Sequence, residues 1–236
     1  MKPILFNTEM VRAILDGRKT VTRRVVMPKH LRVLDSHYHK EHPEVPDKTL
    51  LEKLCLPPYQ PGDILWVRET WNGDWCDHYI YKADGGSAKA AGYAAEPKWR
   101  PSIYMPCEAA RLFLRVTDVR VELLQDSFTA QGDTITAIRD EGIDIGEQCR
   151  QCIEAYGTPC CNDLDPDLEP NDGGEDKNGG SECGMLDEVR SDFATLWDST
   201  IKPANRALYG WAANPWVWVI EFERISKDEA LGGGGD

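Results

Sequence analysis

The spacing of hydrophobic and polar residues changes period several times along this chain, and each change marks an element. Pro3 to Phe6 is a short apolar run that predicts a buried strand. Apolar positions recur at helical spacing over Glu9 to Leu15, with Thr8 placed to cap that helix and Gly17 to end it. Val21 to Val26 reads as a second strand. Pro61-Gly62-Asp63 is a tight turn, and Ile64 to Arg68 is a strand leaving it. Tyr79 to Lys82 is another. Ala110 to Leu123 carries the longest strand pattern: Leu112, Leu114 and Val116, then Val119, Val121 and Leu123, with a turn or bulge near Thr117-Asp118. Thr129 to Glu141 has helical spacing and stops at Gly142. Val189 to Asp198 is a helix with Phe193, Leu196 and Trp197 on one face. In the last strand, Pro215 to Ile225, Trp216, Trp218, Ile220 and Phe222 alternate with Val217, Val219, Glu221 and Glu223.

Two stretches keep no period. Residues 27–58 are polar and proline-rich and read as mostly loop, with a short helix over Leu50 to Leu54. Residues 144–188 are poor in apolar side chains and rich in Asp, Gly, Asn and Pro. Many strands without βαβ alternation predict an α+β chain, a compact mixed β-barrel flanked by helices. The expected organisation is one domain over residues 1–228 with insertions at about 27–58 and 144–188, followed by a flexible tail, 229–236.

The formal charge of −13 argues against a nucleic-acid partner until its distribution is considered. Residues 162–192 hold eleven acids against Lys177 and Arg190, whereas residues 1–33 hold eight Lys or Arg against Glu9 and Asp16. The N-terminal part is basic, and a local site for phosphate fits there. No apolar run reaches the length of a membrane span and no signal peptide precedes the first strand, so a cytoplasmic protein without a membrane partner is expected. Eight cysteines in such a chain favour thiols or metal over disulfides. Cys55, Cys76 and Cys107 are scattered, and burial is their expected role. Cys149, Cys152, Cys160, Cys161 and Cys183 cluster, and a Cys-x-x-Cys pair with two later thiols, Cys149, Cys152, Cys160 and Cys183, can hold a structural Zn²⁺ in a segment too polar to fold alone. His37, His39 and His42 offer a weaker set in a solvated loop.

The densest chemistry lies in Gly17-Arg18-Lys19-Thr20-Val21-Thr22-Arg23-Arg24. A helix that breaks at Gly17 and runs into an extended segment brings two hydroxyls and four cations into one turn, suited to a phosphate, a carboxylate or a polarised carbonyl. Strand alternation puts Thr20 and Thr22 on one face, with Lys19 at its edge.

This turn, the Pro61-Gly62-Asp63-Ile64-Leu65-Trp66-Val67 run, the helix ending Glu141-Gly142-Ile143 and the final Trp218-Val219-Ile220-Glu221-Phe222 strand together resemble the ASCH domain family, of PUA-like β-barrel fold. Pro3-Ile4-Leu5-Phe6-Asn7, Trp66 to Trp71 and Asn214 to Trp218 resemble the ASCH proteins of phages and prophages. The resemblance covers roughly residues 1–26, 59–143 and 189–225. It implies action on or binding to RNA. It also implies similarity to a small bacterial amidohydrolase that deacetylates N4-acetylcytidine, in which a Lys, a Thr and a Glu act at the positions of Lys19, Thr22 and Glu141. No cofactor is required for that chemistry.

Amide hydrolysis needs a nucleophile, a base and a group to steady the oxyanion. Thr22 is the candidate nucleophile and Lys19 its base, if neighbouring cations and desolvation lower its pKa. Arg18, Thr20, Arg23 and Arg24 supply further substrate or phosphate contacts. Glu141 orients the lysine or protonates the leaving amine. The same residues also fit a Lys19–Glu141 ion pair holding the helix to the barrel, with Thr22 an ordinary strand residue. Trp66, Trp71, Trp75 and Trp99 are either core or stacking surfaces for a base. Trp71 is the better ligand contact, with Arg68 and Glu69 beside it to read a base edge; Trp216 and Trp218 fit the core. Three functions follow: a hydrolase of a modified nucleoside, a non-catalytic RNA- or nucleotide-binding module, and a phage accessory protein that binds a host protein through the acidic insertion.

Overall fold

The computed structural model describes residues 1–73, 79–85, 98–128, 134–143 and 184–232. The chain divides into two compact units, Met1–Val121 with Trp218–Asp236, and Glu122–Val217.

In the first unit the element order is β1 (Lys2–Leu5), α1 (Thr8–Leu15), β2 (Val21–Val25), α2 (Pro28–Leu31), α3 (His37–Glu41), α4 (Asp47–Leu54), β3 (Ile64–Arg68), β4 (Trp71–Gly73) and β5 (Tyr79–Tyr81), with β6 (Phe113–Leu123) and β7 (Trp216–Ile225) running through its sheet. Five strands form one mixed sheet in the order β1-β3-β6-β7-β2, and β4 pairs with β5 as a separate ribbon. β1 lies parallel to β3, with Lys2 opposite Leu65 and Leu5 opposite Arg68; β3 lies antiparallel to β6. The α+β class holds, but the expected closed barrel is an open sheet. Its edges are β1 and β2, and what spans them is a side chain: Arg24 Nη2 on β2 donates to Leu5 O on β1 at 3.2 Å. Pro3, with no N–H to offer a neighbour, suits an edge. Being at the edge also corrects the expectation of a buried first strand, since only Ile4 of β1 is buried and Leu5 is exposed. The interior strand β7 buries four successive residues, Val217 to Ile220, on both faces.

Helix α1 buries Val11, Ala13 and Ile14 and closes at Gly17, as its pattern predicts. Gly17 has φ +74°, its N–H bonds Ile14 O, and the Arg18 N–H reaches back to Ala13 O at 2.9 Å. That is the Schellman geometry, in which a left-handed glycine satisfies the last carbonyls of a helix. The cap at the other end is Asn7 and not Thr8: Asn7 Oδ1 accepts the Met10 N–H at 2.8 Å. Asn7→Ala is expected to cost about 1 kcal/mol, read as a lower urea midpoint at unchanged slope; Thr8→Ala, which removes no cap, is the control.

The stretch 27–58 is more ordered than its polarity suggests. Pro28 starts α2 at a position where the absent N–H is not needed, Ser36 caps α3, and α4 turns Leu50 and Leu51 into the core. The Gln60–Asp63 turn closes with Asp63 N–H on Gln60 O at 3.0 Å, Pro61 and then Gly62 (φ +88°) at its centre, which is type II chemistry. β6 is continuous through Thr117 and Asp118, both exposed. Cys55 is buried as expected, whereas Cys107 is exposed.

The second unit contains α5 (Thr134–Asp140), α6 (Gly184–Thr200) and α7 (Arg206–Tyr209). α5 ends as α1 does: Gly142 has φ +89°, and Gly142 N–H and Ile143 N–H bond Arg139 O and Ile138 O. Phe193 on α6 meets Phe128, Trp211 and, one turn along the helix, Trp197, with the Phe128 and Phe193 rings 4.6 Å apart. Leu196 is only partly buried. Trp197 Nε1 donates to Tyr209 O, and Asp198 Oδ1 accepts the Trp211 N–H at 2.7 Å. Among the described residues, no helix is long and apolar enough to cross a membrane.

Candidate functional site

The Schellman turn delivers Lys19 to the sheet, and β2 starts two residues later. Lys19 is 2% exposed; its Nζ donates to Val21 O at 2.7 Å and lies 5.8 Å from the Phe6 ring. Thr22 is 1% exposed, and its Oγ1 accepts from Arg24 Nη1 at 2.9 Å. Arg24 also donates to Arg23 O and Leu5 O and stacks over Phe6. Arg23 is buried. Arg18 is half-exposed and pairs with Asp16 at 3.0 Å. Thr20 lies outside the strand, exposed, its carbonyl accepting the Phe222 N–H, so it does not share the buried setting of Thr22. The structure thus puts Thr22 and Arg24 in contact on β2, and Lys19 and Arg24 both lie against the Phe6 ring. Glu141, in the other unit, is buried in the turn that closes α5.

The second group, Arg68, Glu69 and Trp71, is placed inward. Glu69 is 1% exposed and takes a two-pronged bond from Arg111, Nε to Oε1 at 2.9 Å and Nη2 to Oε2 at 3.0 Å. Arg111 also pairs with Asp84 at 2.7 Å and covers the Tyr81 ring at 3.9 Å. Burial pushes the Glu69 carboxyl above its usual value against the pull of Arg111, and pushes the Tyr81 phenol up to about 12. Arg68 lies over Trp66 and donates to Met105 O. Trp71 is buried with Trp66, Met105 and Phe113, under the Arg100 guanidinium. These residues form a packed, ion-paired floor rather than a base-reading edge. Arg111, the partner that fixes Glu69, is not marked by any motif; only the rarity of an unpaired buried carboxylate announces that a cation must face it.

An open cavity of about 540 Å³ lies in the first unit beside Arg24. Val25, Met27, Leu56, Pro57, Pro58, Tyr59 and Trp218 line it, with Lys29 and His30. The volume is that of a small-molecule site. Tyr59 donates its hydroxyl to Pro3 O at 2.8 Å, which fixes the ring, and burial raises its pKa. Among the described residues, no carboxylate lines this cavity. Most of its wall comes from the stretch 27–58, which the sequence marks as mostly loop, and no motif in the sequence singles this cavity out. Trp218 has the buried position expected of a core residue, yet it also forms wall.

His37, His39 and His42 each face a separate carboxylate, Glu41, Asp47 and Glu44. Among the described residues no three metal-ligating side chains converge. Cys149, Cys152, Cys160, Cys161 and Cys183, Trp75, and the acidic stretch 144–183 lie outside the described residues.

No known protein family, curated protein or solved structure matches this chain.

Proposed function

We propose that this chain is a nucleobase-binding module, of the ASCH, PUA-like kind its motifs resemble, and that the cavity beside Arg24 is where the base sits. The observation that carries the reading is the composition of that wall: the rings of Trp218 and Tyr59, two prolines and three basic side chains, with no carboxylate among the described residues. A flat heterocycle gains stacking on such a wall, about 1–3 kcal/mol per base where an aromatic is involved. A buried Thr22 favours binding over turnover, because a nucleophile must touch its substrate. Titration calorimetry with cytidine and N4-acetylcytidine tests the reading. Leu56→Glu, at a residue 73% exposed, places a carboxylate at the wall without disturbing the core and is expected to weaken binding at least about tenfold. Binding that ignores this substitution, or no binding by either nucleoside, rejects the proposal.

One contact favours a second reading, amide hydrolysis of an acylated cytidine. Arg24 both borders the cavity and donates to Thr22 Oγ1, so a cation stands beside the oxygen that must become an alkoxide, with Lys19 in the same turn to take its proton. The motif resemblance adds Glu141. Release of cytidine from N4-acetylcytidine, lost in Thr22→Ala, Lys19→Ala and Glu141→Gln, establishes hydrolysis; turnover that survives all three removes it.

A further inference from the structure

We infer that the ligand of this cavity carries a phosphate, held by Lys29 and His30, which line it. The inference rests on the nucleobase reading above and adds the anionic half of the ligand.

The basic residues of the cavity are not equivalent. Arg24 directs its guanidinium into the protein, onto Thr22 Oγ1, Arg23 O and Leu5 O. Lys29 and His30, neighbours on α2, do not. Among the described residues Lys29 makes no hydrogen bond or ion pair, and the buried Nδ1 of His30 has no hydrogen-bond partner. A buried polar atom without a partner costs about 1–3 kcal/mol, and an ammonium at an otherwise apolar wall has no carboxylate there to neutralise it. One ligand group answers both needs. A phosphate presents several acceptor oxygens and a negative charge; it pairs with an ammonium in a charge-assisted bond, and a turn of the His30 ring toward the cavity lets it accept from the otherwise unpartnered Nδ1–H. His30 is held in place from behind, since its carbonyl accepts from the buried Cys55 Sγ at 3.6 Å. The basic character of residues 1–33 therefore resolves into two roles: Arg23 and Arg24 lie within the sheet, and Lys29 with His30 faces the cavity.

A nucleoside phosphate can come from a free mononucleotide or from a single RNA strand, and the test separates the two. The full chain is titrated with cytidine, cytidine 5′-monophosphate, inorganic phosphate and a short oligocytidylate, at about 50 mM and about 250 mM salt. The monophosphate is expected to bind at least about tenfold more tightly than cytidine, with a preference that shrinks as salt rises. Lys29→Ala is expected to bring the ratio of monophosphate to cytidine affinity close to one, and Lys29→Arg to retain it. Tighter binding of the oligonucleotide than of the monophosphate identifies a strand as the source; equal affinity identifies the free nucleotide. If cytidine and its monophosphate bind alike, or if Lys29→Ala leaves their ratio unchanged, the phosphate inference is wrong while the base pocket stands. If inorganic phosphate competes as well as the monophosphate and cytidine does not bind, the base reading fails and this inference with it.

Discussion

Arg111→Ala is expected to destabilise the first unit by about 3–5 kcal/mol, the cost of leaving a buried charge without its partner. Glu69 is buried, and both its oxygens are bonded to that one guanidinium. The loss should depend on pH, with a sign fixed by the direction of the Glu69 shift. Burial raises this carboxyl above its unfolded value, so the folded state binds the extra proton, and stability falls as pH rises from the unfolded value through the folded one. Arg111 restrains that rise. Without it the folded value climbs further and the window of loss widens upward. The deficit of Arg111→Ala should therefore be largest near neutrality and shrink below about pH 4, where Glu69 is protonated in both states. Urea unfolding at the two pH values measures it. Equal deficits would show that Arg111 acts through its packing on Tyr81 and not through Glu69.

Phe193→Ala is expected to cost about 3–5 kcal/mol in the second unit. Phe193 touches three other rings, those of Phe128, Trp197 and Trp211, and its removal leaves a hole among rigid groups that collapse poorly. Phe193→Leu keeps most of the volume and should cost much less. Near-ultraviolet circular dichroism during thermal unfolding reports the loss directly, because Trp197 and Trp211 sit against the same ring. A similar cost for alanine and leucine would count against a packing role.

Local sequence signals locate the elements well wherever one residue sets a conformation. Gly17 and Gly142 each mark a helix end because only a left-handed residue can satisfy the last carbonyls there. Pro61-Gly62 specifies its turn, and the alternation at both ends of the long patterns locates β6 and β7. The motif Lys19-Thr20-Val21-Thr22 correctly names the turn where a helix meets an edge strand. Three things depended on contacts between residues far apart in the chain. Whether the strands close into a barrel depends on how β1 and β2 meet, and here Arg24 spans the edges in place of a ladder. Whether Glu69 reads a ligand or lies buried depends on Arg111, forty-two positions on. And the cavity is assembled from Arg24, Lys29, Leu56 to Tyr59 and Trp218, segments with no shared period or motif. The sequence alone determined where this chain turns, caps and alternates, because those are single-residue preferences of the backbone. Only the tertiary structure decided which cations are consumed within the sheet and which face the cavity, because that is set by the neighbours each side chain finds.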